Sequence, residues 1–407
     1  MSKNVFSAPL PAKERVHELD IIRGFALLGI LFANMPYFAS PEVYLTMTNV
    51  VWWTESWNVF AEFIIHFFAS SKFFTMFSFL FGLGFIIFLQ RAEQKAAKPQ
   101  GLFIRRLVIL LVIGIIHAFG IWYGDILVIY ALTGFFLLLF YKSTPKTVLV
   151  WAFLLILIPV SFISLMAILI FMAGDLIPSD AESMAIGMQM LEQSITAYGS
   201  GNTADIFSQR AADYSFMFSN YVFMMPVILG MFLFGVYIAK TEKYKDIPSH
   251  IPFFKRVWKW SLAVGLPFNV MFVYSYFEQG AEVSVHMMTY FIGSAIGGPA
   301  LCFFYMTSII LLMRKEKWIK LFNPLRAVGR TALSNYLLQS IIATSLFYNY
   351  GLGLYGEVGP LIWLVMAAVL FAGQIWVSNK WIKKYRFGPA EWIWRSLTYG
   401  KRQPFKM

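Results

Sequence analysis

The strongest constraint on this chain is a series of apolar runs long enough to cross a membrane. A helix that crosses a bilayer core needs about 20 consecutive, mostly apolar residues, and the chain repeats runs of this kind from Leu19 onward. Hydrophobic residues make up 59% of the 407 residues and charged residues 13%, whereas soluble domains carry about 25% charged residues. Backbone groups in lipid must be hydrogen-bonded within their own segment, which long apolar runs achieve as helices. The sequence predicts an all-α, polytopic transmembrane helical bundle.

The basic residues predict how this bundle is threaded. With the N-terminus in the cytoplasm, only Lys72 and Arg210 of the 33 Lys and Arg residues fall outside, as the positive-inside rule requires. The pattern predicts about ten spans with both termini cytoplasmic, and it attributes the net charge of +12 to topology and not to nucleic-acid binding. The predicted spans are 19–37, 72–90, 104–121, 125–141, 147–172, 219–239, 258–276, 286–313, 330–349 and 360–379. The basic clusters are Lys3, Lys13 and Arg15, Arg91 to Arg106, Lys142 and Lys146, Lys240 to Lys259, Arg314 to Arg330, and the tail from Lys380.

The spans leave room for one transmembrane domain over residues 1–407. We read the first apolar run as a signal anchor that stays in the protein. Residues 38–71 and 173–218 are longer extracytoplasmic segments, and residues 380–407 are a cytoplasmic, amphipathic C-terminal segment. The first of these contains an aromatic helix that suits the membrane interface. The second is acidic; we favour a solvated connector, with a cap over an outer opening as the alternative.

Three polar residues interrupt the first span. Asp20 and Arg23 are one helical turn apart, and Arg23 and Asn34 are eleven residues apart, which is about three turns or roughly 16 Å of rise. All three therefore lie on one stripe of the helix. Charged groups in a membrane helix cost a few kcal/mol, so such a stripe faces a polar interior and not lipid. It predicts one wall of a polar cavity.

The third span repeats this arrangement with Arg106 and His117. A short outer turn then leads to Asp125 and brings it back toward His117. A carboxylate that holds an imidazole fixes its tautomer and raises its basicity, so His117 and Asp125 are candidates for a catalytic general-base pair. A hydrogen-bonded pair that locks a helical hairpin is an equally good interpretation.

Other polar and small residues give weaker indications. Lys72 either snorkels to the interface or contacts an anion, and His66 suits the interface. Thr331, Asn335 and Gln339 form a row after Arg330 that favours hydrogen bonding between helices, with a channel lining as the alternative. Glu391 and Arg395 form an i,i+4 pair that could close the inner face of the bundle. Gly82, Gly84, Gly293, Gly297 and Gly298 suit close helix packing. The single Cys302 excludes a cysteine-based metal site, and we predict no metal site.

These motifs, taken in order along the chain, resemble the YeiB family of bacterial membrane proteins. The matching stretches are Leu19-Asp20-x-x-Arg23-Gly24 with Asn34, Lys72-Phe73 to Gly84, Gly114-x-x-His117, Gly124-Asp125, Gly329-Arg330 to Gln339, and Gly388-Pro389-x-Glu391-Trp392-x-Trp394-Arg395. The resemblance implies a multi-pass protein of the bacterial cytoplasmic membrane. It also implies a distant similarity to transmembrane acyltransferases, including heparan-alpha-glucosaminide N-acetyltransferase. The bacterial enzymes of that group carry Arg-x10-His in an early helix, where this chain has Asn34 in place of the histidine.

Three functions follow as hypotheses. In the first, the chain is an acyltransferase: an inner basic surface binds acyl-CoA as the donor, His117 deprotonates a lipid or glycan acceptor from outside, and Asn34 and Lys72 stabilise the oxyanion. Asp20, Arg23, Arg106, Arg330, Asn335, Gln339, Glu391 and Arg395 are then substrate- or cofactor-binding residues. In the second, the chain is a transporter for a small solute. In the third, it is a non-catalytic lipid or ligand binder, which Asn34 favours. The lipid bilayer is the expected partner in each case, and a homo-oligomer is possible.

Overall fold

The computed structural model describes residues 16–45, 47–48, 50–94, 98–173, 181–278 and 284–407, with side chains from 184 onward in the fifth of these ranges. The basic residues Lys3, Lys13, Arg15 and Lys95, the acidic residues Asp175 and Asp180, and the Glu182 side chain lie outside the described residues. The helices are α1 (His17–Ala39), α2 (Glu42–Leu45), α3 (Ser56–Ile64), α4 (Lys72–Glu93), α5 (Pro99–Gly120), α6 (Leu127–Phe136), α7 (Pro145–Ala173), α8 (Ala181–Gly199), α9 (Thr203–Lys240), α10 (Ile251–Glu278), α11 (Val285–Leu312), α12 (Glu316–Arg330), α13 (Ala332–Phe347), α14 (Pro360–Trp381) and α15 (Pro389–Tyr399).

Nearly all of the described chain is helical, as predicted. Within the described residues, eight helical stretches are long and apolar enough to cross a membrane. Two shorter apolar helices, Leu127–Phe140 and Ala332–Phe347, coincide with the fourth and ninth predicted spans. The count of ten spans therefore stays a prediction. In α7 only 17% of the most apolar window is buried, which fits a helix whose surface faces lipid.

Helix α1 lies at the centre of the bundle, where it packs against α4, α12, α13 and α14. Its closest contact is with α12, because two glycines meet there. A Cβ on Gly329 would lie 1.8 Å from the carbonyl oxygen of Asp20, and a Cβ on Gly24 would lie 2.1 Å from that of Leu325. Only residues without a side chain allow the two backbones to approach this closely.

The glycines that the sequence singled out divide into two groups. A Cβ on Gly82 would lie 1.8 Å from the Phe232 carbonyl oxygen, so this glycine seats α4 against α9. Gly293 and Gly297 likewise seat α11 against α10. The packing interpretation is wrong for Gly84, whose Cβ would meet nothing within 4 Å. Gly84 lines a cavity instead.

In its described part, the second of the predicted outer segments is helical and packs on the bundle, whereas we favoured a solvated connector. Helix α8 covers one end of the bundle, and α9 begins at Thr203, well before the predicted span at 219. A capping box fixes this start: the Asn202 side chain accepts from the Asp205 N–H at 3.2 Å, and the Asp205 carboxylate accepts from the Asn202 N–H at 2.9 Å. Such reciprocal bonds satisfy the first free N–H groups of a helix. We call this end the capped end.

A buried carboxylate ties the cap to the bundle. Asp213 on α9 is 1% exposed and accepts hydrogen bonds from Tyr198 at 2.5 Å, from Gln209 at 2.7 Å and from Tyr44. Its neighbour Arg210 is also buried and donates to the Phe119 carbonyl oxygen at 2.9 Å. These contacts join α9 to α2, to α8 and to the end of α5.

Candidate functional site

A cavity of about 280 Å³ opens at the end of the bundle opposite the cap. We call this end the basic end, because four arginines surround the opening: Arg23, Arg106, Arg330 and Arg395. The deeper wall is apolar and aromatic. It is formed by Leu27, Ile30, Phe77, Leu80, Phe81, Gly84, Phe85, Phe103, Leu110, Ile126, Leu127, Tyr130, Ala332, Leu333 and Tyr336. The cavity thus connects a cationic opening to an apolar interior.

Aromatic rings position Arg106, and a carboxylate positions Arg23. The Arg106 guanidinium lies 3.9 Å from the ring centre of Trp394 and 5.0 Å from that of Phe88. Trp394 also donates to the Arg106 carbonyl oxygen at 2.9 Å, which anchors α15 to α5. Arg23 is held by Asp20 at 2.8 Å across one turn of α1, as the sequence predicted. Stacking occupies the faces of a guanidinium and leaves its N–H edge for an anion.

Glu391 fastens the opening to α13. Its Oε1 atom accepts from the backbone N–H groups of Leu333 at 2.6 Å and Ser334 at 3.1 Å, and its Oε2 atom accepts from the Ser334 hydroxyl at 2.5 Å. The carboxylate therefore caps the first turn of a helix other than its own, where the helix dipole favours an anion. Burial raises the pKa of Glu391, and these hydrogen bonds oppose the rise. Both oxygens of Glu391 therefore contact α13.

His117 lies next to the cavity, between two polar partners. Its Nδ1 atom is 2.7 Å from Asp125 Oδ2, and its Nε2 atom is 2.9 Å from the Ser340 hydroxyl. Asp125 Oδ1 accepts from the Val128 N–H at 2.7 Å, which fixes the carboxylate at the start of α6. His117 is 1% exposed, and Asp125 and Ser340 are fully buried. The predicted contact between Asp125 and His117 is present, and Ser340 extends it to three members.

The polar row on α13 faces α14 and not the cavity. The Asn335 side chain donates to Ser378 at 3.0 Å, and Gln339 donates to Gln374 at 2.9 Å. Gln374 in turn donates to the Asn335 carbonyl oxygen at 2.9 Å. These bonds form a ladder between two helices, the interpretation that the sequence favoured. Neither Asn335 nor Gln339 lines the cavity.

Lys72 belongs to a different buried cluster. It is fully buried, donates to the His66 carbonyl oxygen at 2.7 Å and lies 5.2 Å from the ring centre of Phe272. The His66 ring is 3% exposed and stacks on Tyr276 at 3.6 Å. Lys72 therefore points inward, and His66 is not the interfacial ring that the sequence favoured. Tyr276 donates to Glu42 at 2.8 Å, and burial raises the pKa of that carboxyl.

Asn34 is half-buried near the capped end of α1 and lies outside the cavity lining. Asp20 is 7% exposed at the opposite end of the same helix. The predicted stripe thus reaches the cavity through Arg23 alone. Among the described residues, no group of three or more His, Cys, Asp and Glu side chains could hold a metal ion.

The chain is similar over nearly its whole length to other bacterial proteins. The chain is 38% identical to "Uncharacterized protein YxaH" of Bacillus subtilis over 97% of both chains. It is 28% identical to "Uncharacterized 39.9 kDa protein in amylase 3'region" of Bacillus acidopullulyticus, again over 97% of both chains. It is 26% identical to "Uncharacterized protein YeiB" of Escherichia coli, over 95% of this chain and 96% of that one. This chain belongs to the YeiB family.

The second half of this YeiB-family protein also matches a family model. Residues 238–401 fit the family described as "Protein of unknown function (DUF418)". That range contains Arg330, Glu391 and Arg395 from the cavity opening, whereas Arg23 and Arg106 precede it. No solved structure matches the chain.

Ser340 is the residue of the YeiB-family site that sequence reasoning missed. It was passed over because the row Thr331, Asn335 and Gln339 supplied the polar pattern on α13. The neighbouring face of α13 could have indicated Ser340. Leu333, Tyr336 and Ser340 are spaced i, i+3 and i+7, which places them on one side of a helix.

Proposed function

We propose that this YeiB-family protein is a transmembrane acyltransferase that takes its acyl group from acyl-CoA. One observation carries the proposal: the cavity joins four arginines to an apolar interior. Acyl-CoA has the same two parts, since a phosphorylated headgroup is linked to an acyl chain by a thioester. Arginine suits phosphate because its planar N–H groups form paired bonds to phosphate oxygens, and the acyl chain gains free energy when it leaves water.

The orientation is part of the proposal. Acyl-CoA is a cytoplasmic metabolite, so the basic end would face the cytoplasm and the capped end the outside of the cell membrane. The excess of Lys and Arg at the basic end supports this orientation. The acceptor would then be a hydroxyl or amine of a lipid or glycan that arrives from the capped end, and the acyl group would cross between the two.

His117 and Asp125 would supply the proton transfer. A histidine with Nδ1–H held by a carboxylate keeps Nε2 free to accept a proton, and in this chain Nε2 faces a hydroxyl at 2.9 Å. General-base assistance of this kind contributes about 10²–10⁴-fold to a rate. The deep position of the pair, at 1% exposure or less, keeps water from the thioester.

Binding of octanoyl-CoA to purified protein tests the donor site. We expect Arg330→Ala to weaken binding at least about tenfold, because a charged hydrogen bond contributes about 1.5–3 kcal/mol. The control is Arg256→Ala, which removes an exposed arginine of α10 that does not line the cavity. His117→Ala should leave binding intact and abolish release of coenzyme A. Failure of the wild-type protein to bind any acyl-CoA of a chain-length series would refute the proposal.

A non-catalytic lipid binder is the second candidate, and one observation favours it. His117 and Asp125 do not line the cavity, so the cavity by itself is a binding site with no reactive group. Mass spectrometry of the purified protein distinguishes the two functions. A tightly bound phospholipid that octanoyl-CoA does not displace would favour the binder. Solute uptake into proteoliposomes that Asp125→Asn abolishes would instead favour a transporter.

A further inference from the structure

We infer that Ser340 is a nucleophile that carries the acyl group as an ester during transfer, with His117 as its base and Asp125 as the carboxylate that orients the base. The inference rests on the proposed function, since it names the residue that receives the acyl group. It adds a covalent intermediate, whereas a general base alone would transfer the group in one step from donor to acceptor.

The geometry of the three side chains carries this inference. Ser340 Oγ is 2.9 Å from His117 Nε2, and His117 Nδ1 is 2.7 Å from Asp125 Oδ2. A nucleophilic serine needs a base within about 2.6–3.2 Å and a third group that orients the base. His117 lies on α5, Asp125 in the turn before α6 and Ser340 on α13, and Ser340 is 223 residues away from His117 in the chain. The three functional groups therefore meet only through the fold.

The position of Ser340 relative to the cavity supports the same role. Leu333 and Tyr336 line the cavity, and Ser340 follows them one turn deeper on the same face of α13. The Tyr336 ring centre is 5.1 Å from that of His117, so this cavity-lining ring packs against the imidazole. Its hydroxyl donates to the Gly124 carbonyl oxygen at 3.3 Å and also contacts the Ile126 backbone. Displacement of this ring would join the cavity to Ser340.

The chemistry balances without a further reactant. The Ser340 oxygen attacks the thioester carbonyl, and His117 Nε2 takes the hydroxyl proton. The carbon–sulfur bond breaks, the proton passes to the leaving thiolate, and coenzyme A departs as the thiol. The acceptor oxygen or nitrogen then attacks the Ser340 ester and gives its proton to His117, which returns it to Ser340 as the new ester or amide is released.

A donor for the carbonyl oxygen of the intermediate is available nearby. Trp122 is 1% exposed, its ring centre is 6.3 Å from that of His117, and its Nε1–H has no hydrogen-bond partner among the described residues. A buried N–H without a partner costs about 1–3 kcal/mol. An oxyanion that forms beside His117 would give this group an acceptor.

The test uses the full-length protein in detergent with octanoyl-CoA and no acceptor. Reactions are quenched with acid, coenzyme A is measured with a thiol reagent, and the peptide of α13 is examined for an octanoyl group by mass spectrometry. We expect the octanoyl group on Ser340 in the wild-type protein. Ser340→Ala should lose it and release coenzyme A about 10³-fold more slowly, while it still binds octanoyl-CoA.

Two further variants separate a nucleophile from a packing residue. Ser340→Cys should form a thioester, which neutral hydroxylamine cleaves and which the serine ester resists; a structural role cannot produce this difference. Ser345→Ala is the matched control, because Ser345 is exposed on the same helix and its hydroxyl donates to the Ile341 carbonyl oxygen at 2.7 Å. It should react like the wild type.

Each remaining outcome overturns the inference in a recognisable way. Release of coenzyme A by Ser340→Ala at the wild-type rate, or release without any adduct on Ser340, excludes the nucleophile and leaves the acyltransferase proposal standing. Binding of octanoyl-CoA without release excludes the nucleophile and favours the lipid binder. Failure of the wild type to bind octanoyl-CoA or any other acyl-CoA removes both proposals.

Discussion

Asp125 uses its two oxygens for two separate purposes. One accepts from His117, and the other accepts from the Val128 N–H at the first turn of α6. Space around it is equally restricted, because a Cβ on Gly114 would lie 3.1 Å from Asp125 Oδ1 and 2.7 Å from the Val128 nitrogen. The motif Gly114-x-x-His117 therefore makes structural sense: the glycine admits the carboxylate that the histidine binds.

The substitution Trp122→Phe tests whether the Trp122 N–H is the proposed oxyanion donor. Phenylalanine keeps most of the ring packing against Phe38, whose centre is 3.9 Å away, but it has no N–H. We expect release of coenzyme A from octanoyl-CoA to fall about 10²–10³-fold, the usual effect of losing one such donor. Octanoyl-CoA binding serves as the control and should not change.

If Trp122 has only a structural role, Trp122→Phe should give the reverse result. The substitution would then remove an unpaired buried donor, so the melting temperature would stay level or rise while the rate stayed unchanged. That pattern would reject the oxyanion role.

The sequence predicted some of these residues for identifiable reasons. The turn between His117 and Asp125 is so short that it had to bring them together, and Arg23 could be placed beside Asp20 by helix periodicity. Ser340 and Trp122 could not be found in this way, because their partners are distant in the chain or absent. Lys72 carried too little local context to decide between snorkelling and burial.

At the scale of helices, the contact between α1 and α12 controls the shape of the cavity opening. Gly329 lines the cavity, and its Cβ position falls on the Asp20 backbone, next to the Asp20–Arg23 pair. A change in the spacing of these helices would therefore move one of the four arginines. Helix packing and ligand binding are coupled at this point.

Gly329→Ala tests that coupling. The added methyl group must displace the backbone of α1, and overpacking of this kind costs about 1–3 kcal/mol. We expect a lower melting temperature in detergent and weaker binding of octanoyl-CoA. The control is Gly373→Ala on α14, where a Cβ would meet nothing within 4 Å and alanine favours the helix by up to about 1 kcal/mol. Equal melting temperatures for the two variants would contradict the proposed contact.

Helix boundaries followed from the sequence where apolar runs ended in charges or prolines. They failed for α9, because the sequence was read as acidic and solvated up to residue 218. The overlooked evidence was the pair Asn202 and Asp205, whose spacing is that of a capping box. The contact of Glu391 with α13 was not predicted for a related reason, since no local pattern reveals a cap supplied by another helix.

At the scale of the whole molecule, the two ends of the bundle differ in chemistry. The basic end presents arginines and an open cavity, whereas the capped end is closed by α8 and α9 with buried tyrosines around Asp213. The sequence predicted this asymmetry of charge from loop composition, and it gave the cap only as the less favoured alternative. Its stability comes from contacts of Asp213 with residues on α2 and α8, which loop composition does not encode.

Cysteine labelling tests the orientation. Cys302 is fully buried, so a new exposed cysteine is the one expected to react. Ser200 is exposed at the capped end and is replaced in Ser200→Cys. Lys320 lies at the basic end, where its side chain is 76% exposed, and is replaced in Lys320→Cys. With a membrane-impermeant maleimide on intact cells, Ser200→Cys should react at once. Lys320→Cys should react only after the cells are permeabilised, and the opposite result would invert the topology.

The cavity draws its walls from both halves of the chain, and this has a consequence for how related genes are interpreted. The range 238–401 that defines the matched family supplies Arg330, Tyr336 and Ser340, but His117 and Asp125 come from outside it. A protein recognised by that range alone could keep the fold and lack the base. Inspection of both halves would therefore sort homologues into those equipped for chemistry and those retained for binding, before any is purified.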